Sequence, residues 1–154
     1  MKKRVLSVFM ALVLGVMAFV TGDFKAQAEE VAQDIEFSAL LIEDALIGYL
    51  NTQTRGVYLA EGYSVINDAG GGKIGCGGIT NAARKCKVSV NAIVEKKVSG
   101  SWTRVTSWTA TNTNAYTASV SKTLSVGSGY YYRVRCLHYA GTDSSSSFTE
   151  GMWM

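Results

Sequence analysis

A regular alternation of side chains between Tyr116 and Val126 constrains the fold of this chain more than any other feature. Apolar residues occupy every second position except Lys122, with serine or threonine between them: Tyr116, Ala118, Val120, Leu124 and Val126. A period of two places one set on one face of a strand and the other set on the opposite face. The segment is therefore predicted to be a half-buried β-strand, with Lys122 marking a bend or an edge.

Other segments after residue 56 are rich in β-branched and aromatic residues. They predict further strands at residues 58–67, 73–76, 88–94, 130–139 and 148–154. Turns are predicted at residues 68–72, 99–100, 112–114 and 127–129, and a polar loop at residues 141–147. Connections this short join antiparallel neighbours. We therefore expect residues 56–154 to form an all-β domain, either a small antiparallel β-sandwich or a barrel.

The first 28 residues have the three parts of an export signal. Basic residues at positions 2–4 precede an apolar run over residues 5–20, and a polar stretch ends at Ala28. The apolar run is shorter than the roughly 20 residues that a membrane-spanning helix needs. We therefore predict a signal peptide at residues 1–28 and a secreted, extracellular protein that meets the membrane only during export.

Charge is unevenly distributed over the chain that remains after this cleavage. Its acids and bases are equal in number, which argues against nucleic-acid binding. Residues 29–61 nevertheless hold seven acids and a single base, Arg55. This acidic segment could dock on the more basic remainder, but acidic leaders are commonly disordered, and we favour a solvated tail.

Residues 29–55, which we call the lead segment, also carry an imperfect helical pattern. Five apolar residues recur near helical spacing: Val31, Ile35, Ile42, Leu46 and Tyr49. The pattern predicts one amphipathic helix over residues 31–50, although Leu40 and Ile47 fall on the opposite side and no clear N-cap opens it. The lead segment is thus expected to be helical or disordered.

Three cysteines in a chain bound for an oxidising compartment predict one disulfide and one free thiol. Cys86 and Cys136 share the inward phase of their predicted strands and could bridge across the core. Such a bridge would close a loop of about 50 residues. A Cys76–Cys136 pair and three reduced thiols are the alternatives.

No motif for catalysis or cofactor binding stands in a fitting context. Glycines at positions 70, 72 and 75 match the spacing of a dinucleotide-binding loop, but the helix that must follow is not predicted. His138 could in principle bind zinc with the cysteines, or form a hydrolase triad with Asp143 and a serine of residues 144–147. A flexible serine tract lacks the rigidity that catalysis requires, and the simpler interpretation of His138 is a histidine near the surface at a strand end. We expect a non-enzymatic protein with no cofactor, metal or catalytic residue.

Aromatic and cationic residues of the strand predicted at 130–139 give the strongest indication of function. Four of them share its outward phase: Tyr131, Arg133, Arg135 and Tyr139. A surface of this kind can stack on sugars or anchor a protein partner. Three other aromatic residues are interpreted as core of a small sandwich: Trp102, Trp108 and Tyr132.

Several short strings together resemble a known family. They are TRGVYL at 54–59, GGKIG at 71–75, GSW at 100–102, SW at 107–108 and, most specific, GYYYRV at 129–134 with His138. Over residues 52–154 the chain is similar to a family of small secreted proteins of unknown function from clostridia and related Gram-positive bacteria. This resemblance implies an export signal and a compact β domain, and it implies no activity. A looser similarity of residues 131–134 to a late strand of fibronectin type III and immunoglobulin-like domains implies a sandwich.

Two hypotheses of function fit these residues. The first is a secreted binding or interaction module that holds an extracellular glycan or protein through Tyr131, Arg133, Arg135 and Tyr139. The alternative is a secreted toxin or bacteriocin-like protein in which the acidic segment is a propeptide, removed by cleavage near residues 55–56.

Overall fold

The computed structural model of the chain describes residues 32–51 and 56–154. It contains eight strands: β1 Gln33–Asp34, β2 Leu46–Tyr49, β3 Leu59–Gly70, β4 Lys73–Val98, β5 Ser101–Ser125, β6 Tyr131–Ala140, β7 Asp143–Phe148 and β8 Met152–Trp153. All strand pairs are antiparallel. The predicted all-β fold is confirmed. The predicted signal peptide and the proposed cleavage site near residue 55 lie outside the described residues.

Two long strands, β4 and β5, form the frame of the fold. The first half of β4 pairs with β3 and its second half with β6, while β5 pairs along its other edge. The β4–β5 register is irregular between Asn81 and Val88 of β4. On the facing part of β5, Asn114 has a left-handed φ of 50°. The hairpin bends there, and β3 packs against β6 and β7 without pairing with them. A two-layered sandwich results, with β3 in one layer and β6 in the other.

The hydrophobic core lies between these two layers. Alternate residues of β4 and β6 supply most of it: Ile74, Cys76, Val88, Val90, Val94, Tyr132, Val134 and Cys136. The layers approach each other closely at Gly78, where a Cβ would collide with Sγ of Cys136. Glycine is needed at this position because the facing layer leaves no room for a side chain.

Two of the predicted connections are wrong. Residues 112–114 lie inside β5, because Asn114 bends the strand instead of reversing it. The serine-rich residues 143–148 form β7 and pair with β6, so only Gly141 and Thr142 make the turn. The strand was missed because serines occupy both of its faces: Ser147 is buried while Ser144 is exposed. A serine hydroxyl can find a hydrogen-bond partner on either face, so the run shows no apolar alternation.

The predicted amphipathic helix over residues 31–50 is also wrong. The described part of this segment holds β1, a short 3-10 helix over Phe37–Leu40, and β2, with no α-helix. β1 pairs with the end of β5, and β2 pairs with β3 from Leu46 opposite Ile66 to Tyr49 opposite Tyr63. No helix among the described residues has the length and apolar character needed to cross a bilayer.

Leu40 anchors the lead segment to the outer side of the β3–β4 layer. Its side chain is fully buried and lies over Gly75 and Gly77. Its carbonyl oxygen accepts a hydrogen bond of 2.8 Å from Nδ2 of the buried Asn67. The segment is therefore held by apolar burial and hydrogen bonds.

Charge contributes little to this docking. Asp34 forms an ion pair with Lys122, but Glu36, Glu43 and Asp44 are exposed. The backbone amide of Ile35 instead donates to the Ser121 carbonyl at 3.2 Å. The solvated-tail interpretation is thus wrong for residues 32–51, which complete the sheet.

Candidate binding surface

Strand β6 separates its side chains cleanly between core and surface. Its even-numbered residues from Tyr132 to Ala140 are buried, whereas the odd-numbered ones face outward. All four predicted surface residues are among the latter, and Tyr131 and Tyr139 are each 44% exposed. The period-two pattern of this strand therefore placed its side chains on the correct faces.

Aromatic side chains from three other elements join the outward face of β6. The rings of Tyr131 and Trp153 meet edge to face with centroids 4.9 Å apart. The Arg133 guanidinium lies 4.4 Å from the centroid of the Trp102 ring and 5.6 Å from that of Phe148. We call these four aromatic residues with Arg133 the aromatic strip.

The small residue Gly151 keeps the strip continuous. A Cβ at this position would lie 3.1 Å from the Trp102 ring and 3.4 Å from the Tyr131 ring, so both rings close over its Cα. Trp153 and Phe148 are each 59% exposed. The strip thus presents contiguous aromatic surface to solvent from one end of β6 to its middle.

A buried carboxylate organises the arginines of this face. Glu95, only 6% exposed, accepts hydrogen bonds from Nε of Arg133 at 2.7 Å and from Nε of Arg135 at 3.1 Å. Each of its two oxygens serves one arginine. A single acid thereby fixes two guanidinium groups and leaves the trio with a formal charge of +1.

Tyr139 lies apart from the other three predicted residues. It is eight positions from Tyr131 along β6, or about 26 Å, beside Lys87, Ser89 and Gly141 at the bent end of the sandwich. The structure therefore brings Tyr131, Arg133 and Arg135 together and leaves Tyr139 out.

Sequence reasoning missed four residues of this surface: Glu95, Trp102, Phe148 and Trp153. Trp102 was expected in the core, but it is only partly buried and stacks on Arg133. Trp102, Phe148 and Trp153 are on strands next to or near β6, and their placement depends on cross-strand register and the β4–β5 bulge near Glu95. Register is set by the whole sheet, so periodicity within one strand could not reveal it.

His138 lies in the core, contrary to its expected place near the surface. Its side chain is fully buried, with Nδ1 2.8 Å from Oγ1 of Thr80 and Nε2 2.8 Å from Oγ of Ser147. The Thr80 hydroxyl donates its hydrogen bond to the Ser89 carbonyl oxygen, at 3.0 Å. Nδ1 therefore carries the hydrogen and donates to Thr80, while Nε2 accepts from Ser147. Burial lowers the pKa of His138 from 6.5 to about 4.

This hydrogen-bonded chain does not make a hydrolase site. Asp143 accepts hydrogen bonds from the backbone amides of Tyr58 and Leu59, at 2.5 and 3.0 Å, while the His138 ring bonds to Thr80 instead. Ser147 is 1% exposed, so a substrate has no route to its hydroxyl. The chain satisfies buried polar groups and links the two layers.

The three cysteines are free thiols, and the predicted Cys86–Cys136 bridge is not formed. Cys86 lies at the bend opposite Ala115, whereas Cys136 pairs with Ala92, six positions further along β4. That separation, roughly 20 Å along a strand, far exceeds the roughly 7 Å that a disulfide spans between Cα atoms. Within residues 32–51 and 56–154, no three histidine, cysteine, aspartate or glutamate side chains are grouped to hold a metal ion.

Burial makes the two inner thiols poor nucleophiles. It raises the pKa of Cys76 to about 12, against a smaller lowering effect of Lys122. It also raises the pKa of Cys136, with a further contribution from neighbouring Cys76. Neither thiol is therefore ionised near neutral pH.

An apolar cleft of about 450 Å³ lies on the other layer of the sandwich, the one that contains β3. It is lined by seven residues: Phe37, Leu41, Ile47, Tyr49, Tyr63, Ile79 and Asn81. The Asn81 amide is already engaged by Thr117 at 3.0 Å and Glu61 at 3.5 Å. The cleft thus offers a ligand little polar guidance, and the aromatic strip is the better candidate.

Comparison with known proteins agrees with the resemblance to an uncharacterised family. A family model described as a family of unknown function (DUF6147) matches residues 29–151. Neither the curated proteins nor the solved structures gave a match. The clostridial source and the specificity of the GYYYRV string stay predictions.

Proposed function

This chain belongs to the DUF6147 family, whose function is unknown, and we propose from its exposed surface that it is a secreted, non-enzymatic module that binds an extracellular glycan. The single observation that carries the proposal is the aromatic strip. Four large rings from separate elements lie together on the outer face of one layer, and three of them are at least 44% exposed.

Sugars suit such a surface for a physical reason. One face of a pyranose ring presents C–H groups, which pack on aromatic rings, while hydroxyl groups project from its rim. Tryptophan and tyrosine bring large apolar area that costs little side-chain entropy to order. Polar groups at the margin, such as Arg135 and Lys97, are placed to bond the hydroxyls.

A glycan fits this surface better than a protein partner does. The cores of protein interfaces are compact, apolar and depleted of charged residues. Here the charged groups of Arg133 and Arg135 lie at the face beside the rings, each hydrogen-bonded to the buried Glu95 carboxylate. A polar ligand with apolar patches matches this mixture.

The proposal of export rests on the sequence. The family match begins at residue 29, directly after the predicted signal peptide. The toxin alternative gains no support, because removal of residues up to 55 would strip β1 and β2 from the sheet and expose the site of Leu40. The lead segment is therefore proposed to stay with the mature protein.

Combined Tyr131→Ala and Trp153→Ala substitutions are expected to weaken glycan binding about tenfold or more, because each removes an exposed stacking surface. Affinity gel electrophoresis of the purified protein, through gels containing neutral or acidic soluble polysaccharides, measures this effect. The wild-type protein should be retarded by at least one polysaccharide, and the double variant should migrate almost as in an empty gel.

Tyr116→Ala is the matched control for this experiment. Tyr116 is 52% exposed and has a lysine, Lys85, over its ring at 5.9 Å, but it lies on the bend away from the aromatic strip. This variant should be retarded like the wild type. Unhindered migration of the wild type through every gel, or equal retardation of the double variant, would refute the proposal.

A further inference from the structure

The two arginines held by Glu95 keep most of their hydrogen-bonding capacity. Both reach Glu95 through Nε, and among the described residues no hydrogen bond uses an Nη atom of either group. The terminal amino groups of two guanidinium ions are therefore available for a ligand. Arg135 has 39% of its side chain exposed, and Arg133 has 21%.

Both groups are also fixed before any ligand arrives. Arg133 is stacked against Trp102 and Phe148, while Glu95, itself buried, holds both Nε atoms. The two residues are two positions apart on one face of β6, so their Cα atoms are separated by about 7 Å. Fixed guanidinium groups bind planar oxyanions with little further loss of entropy.

Positive charge extends beyond this pair. Arg104 is the cross-strand partner of Glu95, and Lys97 lies 5.7 Å from the centroid of the Trp102 ring. Among the described residues, the acids of this region are Glu95 and, in the segment between β7 and β8, Glu150. The face therefore carries a net positive charge next to the aromatic strip.

We infer that Arg133 and Arg135 form an oxyanion-binding site and that the glycan bound by this face is an acidic one. The inference rests on the proposed function. An acid group of the sugar chain accepts hydrogen bonds from the free Nη atoms while adjacent rings stack on Tyr131 and Trp153. A single-stranded nucleic acid also offers stacking bases and oxyanions, but it carries a phosphate for every base. Among the described residues, this face has one pair of arginines fixed in this way.

The test is Arg135→Lys, which keeps the charge but replaces the planar fork by a point charge. In gels containing polygalacturonate or dextran sulfate, the wild type should be retarded far more than in neutral dextran. Arg135→Lys should weaken binding to the acidic polysaccharide about tenfold, as expected for loss of a charge-assisted bond to a fork. Arg84→Lys, an exposed arginine at the bend, is the matched control and should bind like the wild type.

The outcomes separate this inference from the proposed function. Retardation by polygalacturonate identifies a carboxylate as the oxyanion, and retardation by dextran sulfate alone identifies a sulfate. The inference is overturned if neutral dextran retards the wild type as much as the acidic polysaccharides do, or if Arg135→Lys binds them as tightly as the wild type. In both cases the stacking proposal stands. Tighter binding of oligo-dT than of either acidic polysaccharide also overturns it. Thermal unfolding midpoints equal to that of the wild type would establish that the variants are folded.

Discussion

Replacement of Leu40 by alanine is expected to lower the free energy of unfolding by about 3 kcal/mol. The Leu40 side chain is fully buried over Gly75 and Gly77, which have no side chains that could move into the space. Its loss therefore leaves a cavity between the lead segment and β4. Urea denaturation followed by circular dichroism measures the change.

The neighbouring Leu41 provides the control, since it is 52% exposed. Leu41→Ala should change the free energy of unfolding by less than about 0.5 kcal/mol. If Leu40→Ala proved as stable as Leu41→Ala, the lead segment would not be an integral part of the sandwich. That result would support the toxin alternative, in which the acidic segment is a removable propeptide.

Acidification from pH 7 to pH 4 is expected to reduce stability by about 3 kcal/mol through His138 alone. In the folded protein its pKa is lowered by burial to about 4, whereas in the unfolded chain it is near 6.5. Between pH 4 and pH 6.5 the imidazole of the unfolded chain is protonated, whereas that of the folded protein stays neutral. Stability from this residue is therefore complete above pH 6.5, falls as the pH drops to about 4, and changes little below that.

A comparison with His138→Asn isolates this effect. The asparagine amide can still donate to Thr80 but does not titrate, so its cavity affects stability at all pH values alike. The wild type should lose about 3 kcal/mol more than the variant between pH 7 and pH 4. Equal losses, or an NMR titration of the wild-type imidazole with a midpoint near 6.5, would contradict the buried hydrogen-bonded histidine.

Much of the fold could be predicted because strands record their faces in a period of two. The alternation in residues 130–139 located β6 and the outward phase of Tyr131, Arg133 and Arg135 correctly. The same logic failed for residues 143–148, since a run of serines has no apolar phase to observe. It also failed for the lead segment, because the apolar residues that recur there near helical spacing belong to short elements that contact three different strands, β3, β4 and β5.

The candidate site was only partly predictable for a different physical reason. Tyr131, Arg133 and Arg135 belong to one strand, so spacing alone grouped them. The same spacing included Tyr139, which lies on the same face at the far end of β6. Trp102, Phe148 and Trp153 arrive from elsewhere in the chain through pairing and through the turns between strands. Glu95 could not be recognised as the arginines' partner until the register placed it opposite Arg133.

The three tryptophans provide the most direct test of glycan binding by the aromatic strip. Trp102 and Trp153 belong to the strip, whereas Trp108 lines a separate cleft beside the lead segment. Indole N–H signals of the labelled protein would be followed by NMR in two separate titrations, one with oligosaccharides of galacturonic acid and one with oligosaccharides of glucose. We predict that the Trp102 and Trp153 signals shift while the Trp108 signal stays in place. A shift of Trp108 alone, or no shift in either titration, would contradict the account.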